Sequence, residues 1–191
     1  MTCLILIDWQ KGFRQLDYWG KRNGQDADKN AAQLLKAWRD NAGQVVHIRH
    51  DSVEAGSPLR PELPGNEFEN FAQPLREEKV YSKSVNSGFI GTTLNEDLQR
   101  EGIRRLVLTG ATTDHCVNTT ARMAGNLGYK VIIASDACFT FERKAPTGEQ
   151  LDPQLVHNVH LASLDQEFAQ VLKTQDILQT EFPHVYKETA L

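Results

Sequence analysis

Short apolar runs alternate along this chain with segments of helical periodicity, and that alternation limits the fold more than any other feature. Residues 3–7 are wholly apolar and stop at Asp8. Ala31, Leu34, Leu35, Trp38 and Ala42 recur at helical spacing, and Gly43 follows as a stop signal. Residues 44–49 read as a second strand, 79–82 as a short or edge strand, 105–109 and 130–134 as strands, and 169–172 as a last short one. Helical patterns fill 92–101 and 114–127, and Asp152-Pro153 opens another, with proline at the first helical position. This order predicts an α/β, Rossmann-like three-layer αβα fold with a mostly parallel sheet of about six strands. Residues 1–191 are expected to form one domain, broken by a Pro-, Gly- and acid-rich excursion at about 51–78.

Charge and cysteine content narrow the partners. A net charge of -4, with no basic run, gives no footprint for nucleic acid. No stretch approaches the roughly 18 apolar residues of a membrane span, and the N-terminus lacks the pattern of a signal peptide. Three widely spaced cysteines, Cys3, Cys116 and Cys138, form neither a disulfide framework nor a CxxC site. The expectation is a cytoplasmic protein acting on a small molecule. The segment DWQKGF after the first strand carries no dinucleotide fingerprint, and phosphate-loop, HExxH and EF-hand patterns are missing as well. No cofactor and no metal are expected.

Ligands in parallel sheets bind beyond the carboxyl ends of the strands. Asp8, then Arg49, His50 and Asp51, then Lys83, then Gly110–Cys116, then Asp136 fall at those ends. Each has a plainer reading: a carboxylate capping a turn, a solvated lysine, a buried inert thiol. Cys116 falls in the first turn of a helix, where the dipole favours an anion and lowers a thiol pKa. Cys3 reads as core and Cys138 as structural.

Three segments together resemble the isochorismatase-like cysteine hydrolase family: LILIDWQKGF (4–13), KSVNSGFIGTTL (83–94) and LTGATTDHCVNTTARMAGNLGYKVIIASDACFTF (108–141). The family pattern is a strand ending in Asp, a Lys followed by Ser-small-Phe, and G-x-x-T-x-x-C-V before a helix. Gly88 stands where the family usually has Ala. The resemblance implies a catalytic triad of Asp8, Lys83 and Cys116, a non-proline cis peptide between Ala111 and Thr112, and an oxyanion hole from the N–H groups of Thr112 and Cys116. It implies cleavage of an amide, ureido or carbamoyl C–N bond through a thioester. Asp8 as the base predicts that Asp8→Asn slows alkylation of Cys116.

Within the resemblance, nicotinamidase-type and isochorismatase-type hydrolases and non-catalytic binding members are the alternatives. Isochorismatases proper typically lack the cysteine. The metal-binding Asp-x-His of many nicotinamidases aligns here with His50 and Ser52, a broken ligand set. Candidate substrate contacts are Trp9, Phe13, Arg49, His50, Asn86, Thr113, His115 and Phe141. Trp9 and Phe13 fit a core equally well, and Arg49 fits a salt bridge to Asp51. Family members commonly form dimers or tetramers, so a homo-oligomer is expected.

Overall fold

A computed structural model describes residues 1–186. In chain order the elements are β1 (Thr2–Ile7), α1 (Leu16–Trp19), α2 (Ala27–Asp40), β2 (Gln44–His50), β3 (Lys79–Lys83), α3 (Leu94–Arg100), β4 (Arg105–Ala111), α4 (Cys116–Asn126), β5 (Lys130–Phe139), β6 (Arg143–Lys144), β7 (Gln150–Leu151), α5 (Pro153–Leu164), β8 (Gln170–Leu172) and α6 (Thr174–Glu181). Six strands form one sheet in the order β3-β2-β1-β4-β5-β8, and every neighbouring pair is parallel. β6 and β7 make a separate small hairpin.

The sheet is covered on both faces, which is why β1 reads as unbroken apolar sequence rather than as alternation. Leu4 and Leu6 join α2 and α6 in one core cluster, while Cys3, Ile5 and Ile7 face α3, α4 and α5 in the other. Trp38 of α2 packs edge-on against Phe182, ring centroids 4.8 Å apart. No helix among the described residues is long and apolar enough to cross a membrane.

Several elements depart from the sequence reading. β5 runs on to Phe139, five residues past the predicted end, with an irregular register between Leu108 and Gly110. Asp136 therefore lies inside β5, where its carboxylate accepts from the Thr174 backbone N and hydroxyl, both at 2.8 Å, and caps α6. It is not a strand-end residue. α4 begins at Cys116 itself rather than at Asp114. α1, α6 and the β6–β7 hairpin had too few periodic apolar residues to register.

The segment 51–78 holds only two 3-10 turns, Pro64–Asn66 and Asn70–Ala72. It is tied down from within. The buried Asn66 amide donates to the carbonyls of His50 (3.0 Å) and Leu59 (2.8 Å) and to Asp51 Oδ1 (3.0 Å).

One glycine is demanded by the approach of β4 to β1. Gly110 has φ +141°, and a Cβ there would lie 1.9 Å from the Ile7 carbonyl oxygen, immediately before Asp8. Gly110→Ala must therefore push apart the two strand ends that carry the site. The expected cost is about 2–5 kcal/mol from strain and overpacking together, read as a lowered denaturant midpoint. An unchanged midpoint would show that the two strands have room to separate.

Candidate active site

Because β1, β2 and β3 run parallel, their carboxyl ends lie along one edge of the sheet. Asp8 follows β1 in a left-handed conformation, φ +51°. His50 and Lys83 are the last residues of β2 and β3 and pair directly in register. Cys116 opens α4 across from them. Beyond the end of β1 the pairing is continued by a side chain. The buried Gln10 amide accepts from the His50 N–H (2.8 Å) and donates to the His50 carbonyl (3.0 Å).

These residues converge on one ammonium group. Lys83 Nζ donates to Asp8 Oδ2 at 2.7 Å, to His50 Nδ1 at 3.0 Å and to Cys116 Sγ at 3.2 Å. An ammonium has three protons and no lone pair, so each proton has its acceptor. The contact also assigns the His50 tautomer: Nδ1 must accept, which leaves the proton on Nε2. The Asp8 and Lys83 side chains are both 0% exposed. Asp8 Oδ1 has no hydrogen-bond partner among the described residues, which leaves it as the free acceptor of the carboxylate.

Electrostatics reverse one expectation. Burial pushes the Cys116 thiol well above its ordinary value, Asp8 adds to the rise, and Lys83 opposes it. At this thiol, burial and Asp8 act against the helix terminus and Lys83. Burial disfavours the Lys83 ammonium, but the Asp8 carboxylate and Cys116 outweigh it and its pKa is raised. His50 is pushed down, first by burial and then by Lys83, and is neutral at pH 7.

Carboxylate, imidazole and thiol atoms of Asp8, His50 and Cys116 lie within 4.8 Å of one another, a spacing that a metal ion could use. Here the same three side chains accept from Lys83, so a cation of the protein's own fills that role. Asp51, the neighbouring carboxylate, is engaged by Arg49 at 3.0 Å and by Asn66 at 3.0 Å. The residues present do not suit a further ion.

On the opposite side, the Ala111–Thr112 peptide is cis. The Thr112 carbonyl accepts from His115 N at 3.1 Å and Val117 N at 3.2 Å, which fixes the turn into α4. The N–H groups of Thr112 and Cys116 have no acceptor among the described residues.

A cavity of about 190 Å³ opens over Cys116. Asp8, His50, Asn86, Thr112 and His115 surround the thiol, and Asn86 Oδ1 lies 3.7 Å from Sγ. Phe13, Tyr18, Trp19 and Leu59 form an apolar wall, and Ser52, Glu54 and Ser57 complete the lining. A larger open groove of about 870 Å³ runs past Asp136 and His157, but none of Asp8, Lys83 and Cys116 lines it. The smaller cavity is the one with the chemistry.

Four of the eight candidate substrate contacts do not line that cavity. Trp9 is core, 5.0 Å from Phe71 and 5.3 Å from Phe139 between ring centroids. Arg49 alternates away from His50 and donates to Asp51 (3.0 Å) and Ser82 (3.1 Å). Thr113 is fully buried, its hydroxyl 2.8 Å from His157 Nδ1. Phe141 stacks behind Trp19 at 5.5 Å and supports the wall without reaching the cavity. Conversely, Tyr18, Trp19, Glu54, Ser57 and Leu59 line the cavity and Gln10 holds the His50 backbone without standing among the sequence candidates. Their sequence signal was slight: an aromatic pair before Gly20, a glutamine after the first strand, and polar residues in the long excursion.

Comparison with known proteins adds independent findings. Residues 2–176 match the Isochorismatase domain family. The isochorismatase family protein YrdC of Bacillus subtilis is 39% identical over 175 residues, covering 92% of this chain and 93% of the relative. A ureidoacrylate amidohydrolase of Acinetobacter baylyi is 27% identical over 217 residues, covering 96% and 84%. A solved structure of an isochorismatase-family protein from Chromobacterium violaceum superimposes with a TM-score of 0.89 at 42% identity, covering 93% and 91%.

Proposed function

The chain belongs to the isochorismatase family, and on that footing we propose that it is a hydrolase cleaving a C–N bond of a small amide, ureide or carbamoyl compound with Cys116 as nucleophile. The family is hydrolytic, and one relative is named as an amidohydrolase. The observation that carries the reading is the Lys83 ammonium shared between Asp8 (2.7 Å) and Cys116 Sγ (3.2 Å) inside a buried site.

The steps follow from charge. As Sγ attacks the carbonyl carbon, its proton passes to Asp8, whose Oδ1 is free to accept it. Thiol, carboxylate and ammonium become thiolate, carboxylic acid and ammonium, so the net charge of the buried triad stays at zero. That matters because an unpaired buried charge costs several kcal/mol. The N–H groups of Thr112 and Cys116 receive the tetrahedral oxyanion; one such donor is typically worth about 2.7–4 kcal/mol. Collapse breaks the C–N bond, and the proton on Asp8 leaves with the amine. Water then attacks the thioester, giving its proton to Asp8. The thiolate departs towards Lys83 and regains the proton, and a carboxylic acid (or carbamic acid) is released.

Asp8→Asn separates reactivity from turnover. Without the carboxylate the thiol loses a group that raises its pKa, while Lys83 still favours the thiolate. Alkylation of Cys116 by iodoacetamide at neutral pH is therefore expected to speed up, opposite to the expectation from sequence. Hydrolysis is expected to fall by about 10²–10⁴-fold, because the leaving amine has no acid. Both are measured on one preparation. Turnover retained within a few-fold would remove Asp8 from the proton path.

A further inference from the structure

The cavity over Cys116 carries charge of one sign. Its lining includes two carboxylates, Asp8 and Glu54, and neither lysine nor arginine. Asp8 is neutralised from behind by the buried Lys83. His50 and His115 are both pushed below the ordinary histidine value, first by burial, and are neutral at pH 7. The arginines Arg14, Arg22 and Arg49 are committed to Glu69, Asp28 and Asp51. Glu54 enters no ion pair among the described residues, whereas its neighbours Asp51 and Glu62 are paired to Arg49 and Arg60. It stands close enough to act electrostatically on His50.

The apolar wall reinforces this bias. Tyr18 and Trp19 line the same cavity, and aromatic faces attract cations. At about 190 Å³ the space is smaller than the roughly 300–1,000 Å³ typical of drug-sized ligands. A ligand held at Cys116 therefore remains within reach of both Glu54 and the aromatic wall. A carboxylate there would meet the solvent-exposed Glu54 carboxylate and π faces, a like-charge repulsion that salt screens.

Resting on the reading of Cys116 as nucleophile, we infer that the site selects small amides or ureides bearing a cationic group, an ammonium or guanidinium, held by Glu54 and the faces of Tyr18 and Trp19, and rejects those bearing a carboxylate. Charge selection of this kind acts on the encounter as well as on the bound state.

The test requires no substrate. Methanethiosulfonates transfer a thioalkyl group to a thiolate, forming a mixed disulfide and releasing methanesulfinate. Their ethylammonium and ethylsulfonate forms differ chiefly in charge. Adduct formation at Cys116 is followed by mass spectrometry with peptide mapping, and each rate is divided by that of 2-mercaptoethanol in the same buffer. The normalised cation-to-anion ratio is expected to be about tenfold or more, and to shrink with added salt. Glu54→Gln is expected to reduce it by about threefold or more. A ratio at or below one, or a preference that Glu54→Gln leaves intact, overturns the charge selection and leaves the nucleophile standing. If neither reagent labels Cys116 in the native protein at any pH up to the onset of unfolding, while both label it after denaturation, the nucleophile reading falls and this inference with it.

Discussion

Cys116→Ala is expected to lose at least about 10³-fold in turnover, because the proposed thioester cannot form without the thiol. Asp8 is held by Lys83, and His50 Nδ1 is occupied by the same ammonium, so neither offers a substitute nucleophile. Stability should change little. The variant loses one acceptor for Lys83, worth about 1 kcal/mol, and leaves the Asp8–Lys83 pair whole. The measurement is ammonia or amine release from a panel of amides, ureides and carbamoyl compounds, with wild type and variant side by side. Intact-mass spectra of the wild type under turnover should show an acyl adduct that maps to Cys116. A variant that still turns over would force a mechanism in which Asp8 activates water directly.

Lys83→Met should damage the fold severely. The methionine fills the space but leaves the Asp8 carboxylate buried and without its cation, an error that typically costs about 3–5 kcal/mol. Turnover should vanish as well, since the same ammonium supports the thiolate. The double variant Asp8→Asn with Lys83→Met removes both charges and is expected to recover much of the lost stability while remaining inactive. If Lys83→Met melts like the wild type, the pair is not worth what its burial implies. The pH dependence has a definite sign. The Lys83 pKa is raised above its ordinary 10.5. Its contribution is therefore complete below about 10.5 and is lost as pH climbs through the raised folded value. Wild type should lose this increment at strongly alkaline pH, and Lys83→Met, having none, should not.

Much of this was written in local sequence. Residues 3–7 announced a doubly covered strand because both faces of β1 are buried, and Asp8, Lys83 and Cys116 fall where parallel strands deliver side chains. What escaped was whatever depends on distant neighbours. His50 and Arg49 are adjacent in sequence, yet strand alternation sends one to the ammonium and the other to Asp51. β5 continues through Ser135 and Asp136, whose carboxylate is taken up by Thr174, a contact 38 residues away in sequence. The thiol of Cys116 sits at a helix start, which argues for acidity, but its burial argues more strongly against it. Burial is set by everything packed around the residue, and no window of sequence contains that.

The position of β1 has a consequence for the making of the chain. It lies between β2, which pairs with it through residues 44–48, and β4, which pairs through residues 105–110. During synthesis the first partner arrives early and the second much later. Throughout that interval the run Cys3–Ile7 presents an unpaired, apolar edge of the kind that recruits strands from other chains. The strand that delivers the Asp8 carboxylate to the middle of the finished sheet is thus, on the ribosome, an adhesive border for as long as β4 is missing.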